Sequence, residues 1–405
     1  MKTVNVIGMG YIGLPTAMMF ASMGVSVVGT DCNRDKIRLL QEGNLPINED
    51  GMDELFEKAI ENGIRFSEKY ESADVYIIAV PTPYDKESKK IDPAVVVSAF
   101  KSVLDVCPKN AVLVLESTVS PGTVDKYVRP LIAAHPEKKV NLAHAPERII
   151  PGNMVYELRN NSRTIGADDP AVGESIKELY QNICNGEITV TDIRTAEMTK
   201  VIENTYRDIN IAFANEVLKL CNAEGMNAYE IIRIANKHPR VNILSPGPGV
   251  GGHCISVDPW FLVGDFPEHT DLIKQARLIN DGMPEYVLQR IKEVMKRDGL
   301  TDYGKVGLYG LTYKENVDDT RESPTLQLLE SMKKHSVSGI KVYDPFVKEK
   351  KTENQYFDLQ SFLNDVDMVV VMVGHDEIKQ NFDLLKQKTV LDTRHICEKD
   401  GTYYL

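Results

Sequence analysis

Residues 3–31 read TVNVIGMGYIGLPTAMMFASMGVSVVGTD, and the order of elements in this stretch decides the fold class. TVNVIG predicts a strand, Leu14–Met23 carries apolar residues at helical spacing, and VSVVGTD predicts a second strand. Between the first strand and the helix, Gly8-Met9-Gly10-Tyr11-Ile12-Gly13 fits GxGxxG. Glycines in that pattern allow a tight turn and let the backbone come close to a pyrophosphate, which then faces the unpaired N–H groups of the helix N-terminus. Asp31 closes the second strand. A carboxylate there accepts hydrogen bonds from both adenosine ribose hydroxyls and repels a 2′-phosphate, so the reading is NAD rather than NADP. Gly8, Gly10, Tyr11, Ile12, Gly13 and Asp31 are the candidate cofactor contacts.

Outward from this unit, ADVYIIAVPTP and AVLVLESTV are near-continuous apolar runs closed by turn residues. Apolar strands separated by helices imply a parallel sheet covered on both faces. Ligands of such sheets sit at the carboxyl ends of the strands, which makes Thr82 and Thr118 further cofactor candidates. From Thr195 to Ala223 the sequence keeps helical periodicity without Gly or Pro, longer than an ordinary globular helix. It predicts a helix that connects two lobes and offers a dimer surface. The Gly/Pro-rich loop SPGPGVGGHCISVDP lies further on. From Lys305 the alternation resumes with KVGLYGLTY, GIKVYDP, DMVVVMVG and TVLDTR, a second, smaller α/β domain. The fold class expected is therefore α/β, with two Rossmann-like, doubly wound parallel-sheet domains joined by a long central helix and a helical region. The boundaries expected are 1–192, 193–300 and 301–405.

The net charge of −12 argues against a nucleic-acid partner, because phosphate backbones are held by an excess of Lys and Arg. No run approaches the ~20 apolar residues of a membrane helix, so no membrane insertion is expected. MKTVNVIGMG leads straight into a strand pattern, which predicts no signal peptide. Cys32, Cys107, Cys184, Cys221, Cys254 and Cys397 are scattered without a CxxC pair and read as reduced thiols of a cytoplasmic protein. His144 and His253 have no third ligand at a metal-like spacing, so no metal is expected.

Three side chains stand out as chemistry. Cys254 sits in a glycine-rich loop that allows a ligand close, with Asp258 four residues on. A single cysteine is more often a small buried hydrophobe than a nucleophile, but a thiolate near a cation or a helix N-terminus is a strong nucleophile. Lys200, in the long helix, is the candidate cation, against the ordinary reading of a solvated lysine. Glu147, in HAPERIIPG, follows a strand-like run and reads as an acid/base or water-positioning group, or equally as a loop salt bridge with Arg148.

Taken in order, GMGYIGLP, VPTP, ESTVSPGT, HAPERIIPG, TAEMTKVIENTYRDINIAFANE, GPGVGGHCISVDPWF and GLTYKENVDDTRESP resemble the UDP-glucose/GDP-mannose dehydrogenase family from end to end. The resemblance implies an N-terminal NAD-binding domain, a central helical region for substrate and dimer contacts, and a C-terminal domain that helps bind UDP. It implies a UDP-sugar substrate oxidised twice at C6 to a carboxylate, two NAD per sugar, and a homodimer or larger homo-oligomer.

In the family mechanism Lys200 and Asp258 act around the C6 oxygen. Cys254 attacks the aldehyde, and the second oxidation leaves a thioester. Glu147 and Thr118 position the hydrolytic water, and Asn204 serves as a substrate or oxyanion contact. Arg148 and Ile149 match the loop against the sugar. Lys200, Asn204 and Arg207 share one face of the long helix. His238 and Arg240 match contacts from a partner subunit, Gly249, Tyr313 and Lys314 match nucleotide-sugar contacts, and Arg321 matches a contact on the NAD side.

Two departures shift the expected sugar. Val257 stands where the glucose enzymes carry Lys, and Pro151 where they carry a second Glu. Trp260-Phe261 resembles the branch acting on UDP-N-acetyl-D-mannosamine; UDP-N-acetyl-D-glucosamine and UDP-glucose are the alternatives. A two-electron hydroxyacid-type dehydrogenase and an idle NAD-binding module are the competing classes. NADH yield separates them: two per sugar, one, or none.

Overall fold

A computed structural model describes residues 2–47, 49–149, 152–397 and 401–405; Pro151 lies outside the described residues. The chain packs as two compact units, residues 1–203 and 204–405.

The first unit is built on an eight-stranded sheet, β1 (Thr3–Ile7), β2 (Ser26–Thr30), β3 (Arg65–Ser67), β4 (Val75–Ile78), β5 (Val112–Leu115), β6 (Asn141–His144), β7 (Arg163–Ala167) and β8 (Ile188–Thr191), in the order 3-2-1-4-5-6-7-8. β1 pairs in parallel with both β2 and β4, Val4 lying beside Val27 on one side and Val75 on the other. The direction of winding therefore reverses between β1 and β4, and the switch point opens at the turns that carry GMGYIG and VPTP. Both faces are covered. Helix Gly13–Ser22 is buried along its whole length, which explains a strand-helix-strand stretch with hardly a charged residue. The sheet departs from the all-parallel expectation at one place. β6 and β7 run antiparallel, with His144 beside Gly166, so β7 and β8 form a parallel pair turned against the rest. A short, fully buried strand such as RTIGA has no alternation that reveals its direction.

The second unit carries β9 (Val306–Tyr309), β10 (Lys341–Tyr343), β11 (Gln355–Tyr356), β12 (Met368–Val371), β13 (Thr389–Asp392) and β14 (Tyr403–Tyr404), all parallel, in the order 11-10-9-12-13-14. Its core joins this sheet to helices that precede it in the chain: Leu218, Cys221, Met283, Leu288 and Ile291 bury against Val306, Leu308, Leu328 and Val370. The helix expected over 195–223 runs from Ile193 to Glu224. Among the described residues no helix is long and apolar enough to cross a membrane.

Candidate active site

The three glycines of the GxGxxG turn do three different jobs. Gly8 has φ +97°, and a Cβ on it would stand 2.3 Å from the Ala79 carbonyl oxygen. A Cβ on Gly13 would stand 1.9 Å from the Gly8 carbonyl oxygen, so this glycine seats the helix on the turn. Around Gly10 a Cβ would meet nothing within 4 Å, which leaves open space above the helix N-terminus for a ligand backbone. That helix has no acidic residue in its own first turn and no side-chain cap, as suits a terminus that receives an anionic ligand.

Asp31 follows β2 and accepts from the Met9 N–H at 2.8 Å, the Asn33 N–H at 2.8 Å and Lys36 Nζ at 3.2 Å. Burial alone would raise its pKa. The two amides and the lysine more than offset this and hold the carboxyl below its usual range. Tyr11 and Ile12 are half-buried on the turn. Thr82 and Thr118 are half-buried at the ends of neighbouring strands, and Ser117 Oγ donates to the Val80 carbonyl at 2.7 Å, tying the two turns together.

Glu197, inside the quoted TAEMTK stretch, accepts from the Gly122 N–H at 2.6 Å and the Val124 N–H at 2.9 Å. This buried carboxylate fastens the loop carrying Thr118 to the helix carrying Lys200, and burial pushes it up to about 6.

Lys200 is buried, so the solvated-face alternative does not hold. Glu147 is buried too, and its ion partner is Arg163, not the Arg148 side chain that adjacency suggested. Its second oxygen accepts the Arg148 N–H at 2.6 Å. The Arg148 guanidinium reaches instead to Glu203 on the long helix, Nε to Oε2 at 2.8 Å. Ile149 buries its side chain in the core of the unit. His144 is sealed in the same unit, Nδ1 at 2.8 Å from the Leu115 carbonyl, and burial pushes it down to about 4. Among the described residues no group of His, Cys, Asp or Glu is arranged to hold a metal.

In the second unit Cys254 is exposed, whereas Cys221 and Cys397 are buried. Its carbonyl accepts the Val257 and Asp258 N–H groups at 3.0 and 2.8 Å, so the thiol stands on the turn that starts helix Asp258–Asp265. Asp258 is buried and accepts from Asn204 Nδ2 at 2.6 Å.

The glycines before the thiol are there for close packing. A Cβ on Gly251 would lie 2.6 Å from Tyr313 Cβ, and one on Gly252 (φ +85°) would lie 2.9 Å from the Tyr313 ring. Gly249, with φ +138°, turns the same loop against Pro324 and Pro284. The Gly252 N–H donates to the Arg321 carbonyl at 2.9 Å. The loop with Cys254 is thus brought against both LTYKEN and DTRESP. Tyr313 and Lys314 are half-buried. Arg321 turns its guanidinium back onto Asp319, Nε to Oδ1 at 2.9 Å.

Arg207, His238 and Arg240 are exposed, while Lys200 and Asn204, on the same side of the long helix as Arg207, are buried. Val257, Trp260 and Phe261 are buried.

Two features of this unit escaped the sequence reading. His375 is fully buried, with Nε2 at 3.1 Å from Asp344 Oδ2 and Nδ1 accepting the Asn316 N–H at 2.9 Å. Asp344 also accepts the Leu311 and Thr312 N–H groups, so the pair underpins the LTYKEN loop. Arg394, just past β13, approaches the loop from the other side: a Cβ on Gly247 would lie 2.9 Å from its Nη1. An aspartate or arginine closing an apolar strand, as in KVYDP and VLDTR, was the available signal.

A dinucleotide fingerprint at a switch point, joined to a second parallel-sheet unit, defines an NAD-dependent dehydrogenase. The chain belongs to the UDP-glucose/GDP-mannose dehydrogenase family, matching its NAD binding domain over residues 2–184, its central domain over 194–282 and its UDP binding domain over 307–399. It is 42% identical to the UDP-N-acetyl-D-mannosamine dehydrogenase of Methanocaldococcus jannaschii, over 98% of this chain and 93% of that one. It is 39% identical to the NDP-N-acetyl-D-galactosaminuronic acid dehydrogenase of Ralstonia nicotianae, over 97% and 96%. The solved structure of the UDP-N-acetyl-mannosamine dehydrogenase from Staphylococcus aureus superposes with a TM-score of 0.88 at 40% identity, covering 99% of this chain and 97% of that one.

Proposed function

We propose that this enzyme oxidises UDP-N-acetyl-D-mannosamine at C6 twice, giving UDP-N-acetyl-D-mannosaminuronate through a covalent intermediate on Cys254. One sugar, two NAD and one water give one uronate and two NADH, with protons released. The observation that carries the reading is the exposed Cys254 on a glycine-built turn, followed at the helix start by Asp258, whose carboxylate Asn204 holds. NAD supplies the hydride acceptor for each oxidation. Lys200 and Asp258 take the proton of the C6 hydroxyl and stabilise the oxygen as charge develops, and Asn204 fixes the Asp258 carboxylate for that role. The Cys254 sulfur bonds to C6 of the aldehyde, restoring an sp3 carbon that can lose a second hydride and leave a thioester. Water ordered by Glu147 and Thr118 releases the acid and returns the thiol.

Gly8, Gly10, Tyr11, Ile12, Gly13, Asp31, Thr82 and Thr118 are assigned to the cofactor, with Arg321 beside it. Arg148, Ile149, Arg207, Gly249, Tyr313 and Lys314 are assigned to the nucleotide sugar, and Arg394 joins them as a guanidinium suited to a diphosphate. His238 and Arg240 are assigned to a partner subunit's substrate. Residues 1–192, 193–300 and 301–405 then serve as cofactor, substrate and UDP segments. Ile202, Tyr206, Phe213 and Leu220, exposed along the long helix, support a homodimer through that helix. We assign the enzyme to the cytoplasm, where UDP-sugars, NAD and reduced thiols are kept.

The relatives named for UDP-N-acetyl-mannosamine support that epimer. The galactosaminuronic relative, at 39% identity, supports a second hexosamine as the alternative. The test is NADH yield over a panel of UDP-N-acetyl-mannosamine, -glucosamine and -galactosamine with UDP-glucose. Two NADH per mannosamine nucleotide are expected, and none from C254S. Full acid formation by C254S would remove the thiol from the mechanism.

A further inference from the structure

In the first unit one guanidinium serves two buried carboxylates. Arg163 opens β7, Glu116 follows β5 and Glu147 follows β6, and all three side chains are sealed from solvent. Arg163 Nη2 is tightly paired with Glu147 Oε2, while its Nη1 stands 3.6 Å from Glu116 Oε1. Tyr180, from helix Pro170–Gln181, lays its ring under the guanidinium with the central carbon 4.6 Å from the ring centroid. The Tyr180 hydroxyl donates to Glu116 Oε1 at 3.0 Å, and Thr16 Oγ1 reaches the same oxygen at 3.5 Å. Cys184, past the end of that helix, is the remaining titratable group facing Arg163.

Two carboxyl groups sharing one guanidinium in a dry interior would, if both were charged, leave a net charge that is costly to bury. The trio lowers that cost by carrying one proton. Glu147 holds the closer ion pair and accepts a backbone N–H. Glu116 has neutral donors and the more distant guanidinium, and burial pushes it up to about 7. Glu147 in turn fixes the Arg148 amide, and the Arg148 side chain reaches Glu203, one turn past Lys200 on the helix. A buried triad of this kind is often no more stable than an apolar replacement, so its use here calls for a reason other than stability.

We propose that Arg163 is a positioning residue for thioester hydrolysis: its ion pair holds the Glu147 side chain in one place, with Glu116 as the neighbour that shares the guanidinium. This rests on the reading that Glu147 orders the hydrolytic water.

The experiment uses the full-length enzyme with NAD and UDP-N-acetyl-mannosamine, in wild type, R163M, R163K and E116Q. R163M should release a normal burst of two NADH per site and then stall, with kcat down on the order of 100-fold and an acyl adduct on Cys254 visible by intact-mass spectrometry. R163K should recover part of kcat and lose the adduct. E116Q imitates the protonated form, so the bend expected in the wild-type hydrolysis profile as Glu116 titrates near pH 7 should be absent. Burst and steady state slowed equally with no adduct, or an E116Q profile that superimposes on wild type, would overturn the proposal. If R163M does not fold, R163K and E116Q carry the same decision. A wild type that gives no NADH with any UDP-hexose would overturn the functional reading itself and this proposal with it. A wild type that turns over beside a folded R163M that accumulates no adduct would overturn this proposal alone.

Discussion

At the residue scale, the glycine turn separates binding from folding. A methyl group on Gly10 enters open space, whereas one on Gly8 or Gly13 strikes a carbonyl oxygen. G10A should therefore keep the wild-type melting temperature while weakening NAD binding about tenfold or more, since the methyl occupies the pyrophosphate's approach. G8A and G13A should lower the melting temperature as well. Calorimetric titration beside thermal unfolding checks both, and a G10A enzyme with unchanged NAD affinity would move the pyrophosphate elsewhere. Asp31 gives a complementary case. Its carboxylate already accepts from Met9, Asn33 and Lys36, and a carboxylate has about four acceptor positions, which leaves about one for the proposed ribose contact. D31A should raise the NAD dissociation constant roughly tenfold to a hundredfold, the worth of hydrogen bonds to a charged group. The sequence pattern was enough to find these residues because glycine geometry and a strand-end carboxylate are local facts. Glu147 was found with the wrong partner. Its neighbour in sequence, Arg148, turns to Glu203, and its ion partner, Arg163, comes from a strand whose direction no local pattern reveals.

At the scale of elements, the helix Ile193–Glu224 does two kinds of work. One face buries Lys200, Asn204, Asp208 and Asn215, the last three in polar contacts, and another leaves Phe213 and Leu220 in solvent. Asn215 accepts the Gly247 N–H at 2.9 Å and donates to Asn280 Oδ1 at 2.9 Å, so the helix also anchors the start of the glycine loop. An apolar stripe on one helix pairs best with its own copy across a two-fold axis. If the proposed homodimer pairs through this helix, the double substitution F213D/L220D should give a monomer in sedimentation analysis while leaving far-UV circular dichroism unchanged. A wild-type chain that is already monomeric at micromolar concentration would remove the helix-pairing idea. The length of this helix was legible because nothing in it breaks periodicity. The short strands Arg65–Ser67, Gln355–Tyr356 and Tyr403–Tyr404 were not, since two or three residues carry no period and owe their state to a neighbouring strand.

At the scale of the whole molecule, buried carboxyls set the response to pH. Burial raises Glu116 to about 7 and both Glu197 and Asp208 to about 6. A carboxyl whose folded pKa lies above its unfolded one binds more protons when folded. Its stabilisation is full below the unfolded value and disappears as pH rises through the folded one. Asp31 and Asp344 are buried too, but their amide and cationic partners hold them below the usual range, so their contribution is lost on acidification instead. The melting temperature should therefore peak in mild acid and fall between about pH 5 and 8, and E116Q should flatten the upper part of that decline. A melting temperature that rises steadily across that interval would contradict the assignment. The two-sheet plan was readable from alternating apolar runs, yet this acid response was not. It depends on which carboxylates the fold seals together, and that is fixed by strand order rather than by spacing along the chain.

One further consequence follows from the solvent access of Cys254. An exposed thiol is open to peroxide, and on the proposed mechanism oxidation of Cys254 to a sulfenic acid would remove the nucleophile. Output of the uronate would then track the reducing capacity of the surroundings, and a bound sugar nucleotide would shield the enzyme from oxidative inactivation.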